Sequence, residues 1–169
     1  MRIFLTGFMG SGKSFWGKKL ASRYRLPHFD LDTEIEQRTQ QSISDIFISM
    51  GEDAFREIES NCLQDCISNH PHFVMSTGGG TPCYRQNNEW MKQSGIVVYL
   101  QTESAALYQR LQHDNKHRPL IAHLSEDELL SYIQKTLQQR QATYETAHHI
   151  VDTKSANESI FDTLLQLHV

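Results

Sequence analysis

The chain is short of cysteine, of positive charge and of long apolar runs, and each shortage removes a class of protein. Only three cysteines occur in 169 residues, at Cys62, Cys66 and Cys83. So small and odd a number argues against a disulfide framework. Cys62 and Cys66 lie four apart and precede His70 and His72, but known zinc spacings differ, and the pair suits a buried helix face. No apolar run reaches the length of a membrane span. The opening MRIFLTGF is interrupted by Gly7 too early for a signal peptide, which points to the cytoplasm. The net charge is −4 with nine histidines counted as neutral. An acidic chain is a poor general binder of nucleic acid. An anionic ligand would have to be held locally, by helix N-termini, backbone N–H groups and a few placed arginines. Repeats, linkers and low-complexity segments are also missing. With 38% hydrophobic residues, the length predicts a single domain over residues 1–169 with a buried core.

What is present is an alternation of short apolar runs with helical stretches. RIFLT (2–6), HFDLD (28–32), HFVMS (72–76), IVVYL (96–100) and HIVD (149–152) read as strands. Helices are expected over 13–25, 31–39, 44–68 with a break near Gly51, and from Thr102, as cap, to about Gln112. Two capping boxes, SEDE at Ser125–Glu128 and SANE at Ser155–Glu158, each open a further helix. The last of these would bury Ile160, Leu164 and Leu167. Such alternation implies an α/β fold with a parallel sheet covered on both faces. Ligands of these sheets bind beyond the carboxyl ends of the strands. Gly7, Asp30, Asp32, Gly78–Gly80 and Thr102 all fall just there.

The stretch LTGFMGSGKS carries Gly7, Gly12, Lys13 and Ser14 in the spacing of a phosphate-binding loop, between a buried strand and a helix. Its backbone N–H groups and the helix dipole would face phosphates, Lys13 would reach the outer ones, and Ser14 would ligate Mg²⁺. Gly17 reads as a packing residue. The motif supplies a nucleoside triphosphate but no acceptor.

Other residues bear on the acceptor. Asp30 and Asp32, two apart at a strand end, could face a metal and an acceptor hydroxyl; alternatively Asp32 caps the next helix. Arg56 and Arg140 sit among apolar neighbours, either snorkelling to solvent or held for an anion. Three successive glycines, 78–80, permit close approach of a ligand to the backbone, or form a turn. Arg118, in a stretch without core periodicity, is either a mobile cation for phosphoryl transfer or an ordinary solvated charge. NKHRPL lacks the aspartate of a guanine-specificity motif.

Taken together, the phosphate loop, DLDTEIE, GEDAFREIE, STGGG, RPL and the Arg140–Tyr144 pair occur in the order and spacing of shikimate kinases. The resemblance runs from Arg2 to about Asp152. It implies a three-layer αβα fold with a five-stranded parallel sheet and a mobile lid, at about residues 112–124. It implies ATP-dependent phosphorylation of the 3-hydroxyl of shikimate, with Mg²⁺, by a monomer. Gly10, Ser11, Gly12, Lys13, Ser14, Phe15, Arg110, Arg118 and Lys154 would contact the nucleotide, and Ser14 and Asp30 the metal. Asp32, Arg56, Gly78, Gly79, Gly80 and Arg140 would hold shikimate, with Lys13, Asp32 and Arg118 catalytic. The chain departs from the family in TPCYRQN after the glycines and in KSANES after the last strand. Gluconate and nucleoside monophosphates are the alternative acceptors.

Overall fold

The structure, a computed structural model, describes residues 1–112 and 120–166. Five strands, β1 (Arg2–Thr6), β2 (His28–Asp30), β3 (Phe73–Ser76), β4 (Ile96–Gln101) and β5 (His149–Asp152), form one parallel sheet in the order β2-β3-β1-β4-β5. Alternate residues of β1 point to opposite faces, as the pleat requires. Ile3 and Leu5 join Trp16, Leu20, Phe161 and Leu165 on one side. These come from α1 (Lys13–Tyr24) and α7 (Glu158–Gln166). Phe4 joins Leu31, Ile46, Phe55, Leu63 and Met91 on the other side. They belong to α2 (Leu31–Thr39), α3 (Ile43–Asn69) and α4 (Asn87–Ser94). The covered sheet matches the predicted three layers. A smaller cluster joins Phe8 to Leu107, Ile121, Leu129 and Ile133. It packs α5 (Ser104–Leu111) and α6 (Glu126–Tyr144) against the loop after β1.

Packing explains two glycines and an arginine. A Cβ on Gly17 would come within 2.5 Å of both His28 Nε2 and Ser76 Oγ, so its absence lets α1 lie on the sheet. Gly51 has φ 82° and ψ 174°, a conformation reserved for glycine. It breaks α3 where the sequence places the interruption. Arg2 donates to the carbonyls of Ile67 at 2.9 Å, His70 at 2.8 Å and Ser94 at 3.2 Å. One guanidinium thus satisfies the ends of both α3 and α4.

Several local expectations are corrected. β2 stops at Asp30, which becomes the N-cap of α2, and Asp32 lies inside the first turn of that helix rather than capping it. The two carboxylates therefore do not share an extended segment. Thr102 does not cap α5: Glu103 occupies that position, and the Thr102 hydroxyl pairs with that of Thr153 at 2.9 Å. The Ser125–Glu128 box forms as expected. The second box does not, because Asn157 Oδ1 accepts the Ile160 N–H at 3.0 Å while the Ser155 hydroxyl turns back to the Asp152 carbonyl. Phe161 and Leu165 are the fully buried residues of α7, the expected Ile160 and Leu164 pack beside them partly buried, and Leu167 lies outside the described residues. Cys62 and Cys66 are buried in the core. Among the described residues no helix is long and apolar enough to cross a membrane.

Candidate active site

Strand register assembles the site. Asp30 pairs with Ser76 and Ser76 with Leu5, so the ends of β2, β3 and β1 lie side by side. The loop after β1 turns through Gly7, Gly10 and Gly12, all with positive φ. It delivers the chain into α1 with the first-turn N–H groups of that helix facing outward, where they lack intrahelical acceptors. Lys13 is nearly buried and folds over the loop, its Nζ donating to the carbonyls of Gly7 at 2.8 Å and Phe8 at 2.9 Å. The Ser11 N–H closes the turn onto the Phe8 carbonyl at 3.1 Å. The Ser14 hydroxyl donates to Asp30 Oδ2 at 2.8 Å. Lys13, Ser14 and Asp30, with Gly10, Gly12 and Phe15, line a cavity of about 270 Å³.

A second cavity, of about 250 Å³, lies beside it, walled by Phe47 and Phe55 and holding both Arg56 and Arg140. The two cavities share four lining residues: Met9, Asp32, Gly78 and Gly79. Asp32 thus stands at their junction. Its carboxylate is open to the cleft, yet protein crowds it and so do two other acids. Desolvation first, then Asp30 and Glu59, push its pKa up to about 6, against an opposing pull from Lys13.

Arg56 does not reach solvent. It is 5% exposed, and its NH1 donates to Glu59 Oε2 at 2.9 Å and its NH2 to Glu52 Oε1 at 3.0 Å. Glu59 is fully buried and also accepts the Thr81 hydroxyl at 2.6 Å. A buried arginine with two carboxylates on one helix, three and four residues away, is a prepaid desolvation that a ligand anion need not meet alone. The third glycine is required by space. A Cβ on Gly80 would lie 2.6–2.8 Å from the guanidinium. The Gly79 carbonyl accepts the buried Tyr144 hydroxyl at 2.5 Å, and Tyr144 stacks on Tyr99. Helix α6 therefore anchors the glycine loop and supplies Arg140 from one turn earlier.

The sequence motifs contain Glu52, Glu59 and Tyr144 but gave none of them a role. The spacing of Glu52 and Glu59 around Arg56 was the available signal for the first two. Three expected nucleotide contacts, Ser11, Arg110 and Lys154, line neither cavity, and Ser11 is buried within the loop. Arg110 donates to the Gly10 carbonyl at 2.8 Å, bracing the loop. Lys154 forms an exposed pair with Glu103 at 2.6 Å. Arg118 lies outside the described residues, as does most of the expected lid.

Ser14 and Asp30 fit Mg²⁺ by their chemistry: two hard oxygens in contact, beside a cavity sized for phosphates. Mg²⁺ takes few protein ligands and completes its shell with water and phosphate oxygens.

Comparison with known proteins agrees with this geometry. The family model described as shikimate kinase matches residues 9–168. A shikimate kinase of Phocaeicola vulgatus is 42% identical over 149 residues, covering 88% of this chain and 85% of that one. The crystal structure of shikimate kinase from Bacteroides thetaiotaomicron superposes with a TM-score of 0.86 at 34% identity, covering 99% of this chain and 96% of that one. The shikimate kinase of Acinetobacter baumannii, solved in complex with shikimate, gives 0.84 at 33%, covering 99% and 90%. The chain belongs to the shikimate kinase family.

Proposed function

We propose that this chain transfers the γ-phosphoryl group of ATP to the 3-hydroxyl of shikimate, giving shikimate 3-phosphate and ADP. The observation that carries the reading is the pair of cavities joined at Asp32, one built for phosphates and the other holding two arginines. A planar guanidinium fork matches a carboxylate, and shikimate is a small carboxylate with three hydroxyls.

The chain's residues divide the work. Lys13 leaves its two loop carbonyls to follow the transferring phosphate. Arg56 and Arg140 hold the acceptor carboxylate at the far wall. The N–H groups around Gly79 meet the ring hydroxyls. Asp32, at the junction, accepts the hydrogen bond of the attacking hydroxyl. With a pKa near 6 it is ionised at neutral pH and basic enough to take the proton as the bond forms. Because the transition state is loose, orientation outweighs early proton removal. When bound at Ser14 and Asp30, Mg²⁺ would neutralise charge on the phosphate oxygens. The assignment of residues 112–124 as a lid, with Arg118 as its cation, rests on the resemblance alone. So does a monomeric state, while a cytoplasmic location rests on the sequence reading. The net charge of −4 supports the absence of a nucleic-acid partner.

The test is ADP release with Mg²⁺–ATP in parallel with shikimate, quinate, gluconate, AMP, CMP or no acceptor. Turnover with shikimate alone is expected. Turnover with gluconate or a nucleotide instead would overturn the acceptor, and equal rates in every well would mean hydrolysis without an acceptor.

A further inference from the structure

After the three glycines the chain runs through a 3-10 turn, Thr81–Cys83, to Tyr84. This tyrosine stands in the stretch that departs from the family pattern, and the chemistry described above gives it no part. Its surroundings do. The Arg56 guanidinium carbon lies 4.1 Å from the centre of the Tyr84 ring. The Tyr84 hydroxyl donates at 3.0 Å to Glu52 Oε1. That oxygen also accepts from Arg56 Nε at 3.3 Å and NH2 at 3.0 Å. NH1 is held by Glu59. The guanidinium is thus fixed along two edges by carboxylates and by two aromatic rings, Tyr84 being the nearer and Phe55, on its own helix, lying at 5.0 Å.

Two carboxylates alone constrain a guanidinium within its own plane. They resist tilting out of that plane poorly, because both contacts lie in it. A stacked ring opposes the tilt, since its negative face attracts the flat cation. The phenol hydroxyl also occupies a lone pair of Glu52 that would otherwise let the carboxylate swing.

We propose that Tyr84 is a positioning residue for the acceptor's carboxylate. It holds the Arg56 fork toward the cavity and so sets affinity for a carboxylate acceptor without contributing to phosphoryl transfer. The inference rests on the acceptor reading given under Proposed function and adds to it a determinant supplied by this chain's own departure.

The experiment is steady-state kinetics of the unsubstituted chain, Tyr84→Leu and Tyr84→Phe at saturating Mg²⁺–ATP. Shikimate and its methyl ester serve as paired acceptors, and thermal unfolding is followed for each protein. Tyr84→Leu is expected to raise the shikimate KM about tenfold, in line with a largely desolvated cation–π contact. The kcat, the ATP KM and the ester KM should each move by less than about twofold, because the ester presents no charged carboxylate to the fork. Tyr84→Phe keeps the ring and should raise the shikimate KM only about threefold, the worth of one hydrogen bond. An unchanged shikimate KM in both variants overturns the proposal. So does equal weakening of shikimate and ester, which is what a merely space-filling residue would give. If Tyr84→Leu does not fold, Tyr84→Phe decides by the same comparison of the two acceptors. Failure of the unsubstituted chain to phosphorylate shikimate would overturn the acceptor reading, and this inference with it; that result is seen before any variant is compared.

Discussion

The two cavities that meet at Asp32 are built by different means. The phosphate side is made mostly of backbone from one continuous stretch, Gly7 to Phe15, fixed by three positive-φ glycines and by β1 behind them. The acceptor side is made mostly of side chains from α2, α3 and α6, with the glycine loop lending its backbone. Its Arg56 is buried and paired with Glu59 and Glu52 on the same helix. A backbone cradle recognises phosphate wherever it occurs, since every residue offers the same N–H. A cage of side chains recognises one arrangement of carboxylate and hydroxyls. Generality and specificity are thus separated in space, and one carboxylate couples them.

Changes on the two sides should separate in the same way. Lys13→Ala removes the phosphate-side cation and should abolish turnover with any acceptor; near-normal ADP release would end that assignment. Asp32→Asn acts on both sides at once. It should lower kcat by about 10²–10⁴-fold, the usual worth of a positioned base, with ATP binding, measured by fluorescence titration, intact. Only a mild loss would leave Asp32 an orienting group at most.

The same variant should be more stable than its parent at neutral pH. The native carboxyl titrates near 6 against 3.8 for the unperturbed group, so the native state binds this proton more tightly than the unfolded state. Ionisation therefore costs the native state stability. The cost is absent below about 3.8, grows as pH rises toward 6 and is complete above it. Melting temperatures of parent and Asp32→Asn should diverge across that window and coincide below it. The parent's kcat/KM for shikimate should fall as pH drops through about 6, and a profile flat to pH 5 would contradict an essential ionised Asp32.

Arg140→Ala confines the damage to the acceptor side. It should weaken shikimate binding by about 2–5 kcal/mol, the cost of leaving a buried carboxylate half paired, while the ATP KM holds. An unchanged shikimate KM would remove Arg140 from the site. Glu59→Gln tests the support behind the cage. Taking one partner from a buried pair should cost about 3 kcal/mol of unfolding free energy in urea, and a neutral result would mean that Glu52 alone suffices for Arg56. The smallest effect is expected at Lys154→Ala. Its pair with Glu103 is exposed, and such pairs contribute little. Melting should be unchanged, and a rise in the ATP KM would show that Lys154 meets the nucleotide directly.

The same contrast explains what could be read from the sequence. The sheet, its five strands and the phosphate loop were legible because each depends on consecutive residues: apolar runs for strands, glycine spacing for the loop. The break in α3 was legible for the same reason, since Gly51 alone imposes it. Helix caps were harder. Ser155 and Glu158 satisfied a local rule, yet Asn157, one residue from the helix, took the role. The roles of Asp32 and Arg56 could not be decided locally at all. Asp32 acquires its meaning from Gly78 and Glu59, brought close by the sheet and α3. Arg56 acquires it from the buried Glu59, from Glu52 one turn away and from Tyr84, which the tertiary fold brings onto its guanidinium.

The most direct measurement is the position of the new phosphate. The product made from Mg²⁺–ATP and shikimate can be followed by ³¹P–¹H correlation NMR. If Asp32 presents one hydroxyl to the phosphate cavity, a single ester phosphorus should appear, coupled to the proton on C3 of the ring. Coupling to the C4 or C5 proton, a mixture of esters, or inorganic phosphate alone would contradict the account.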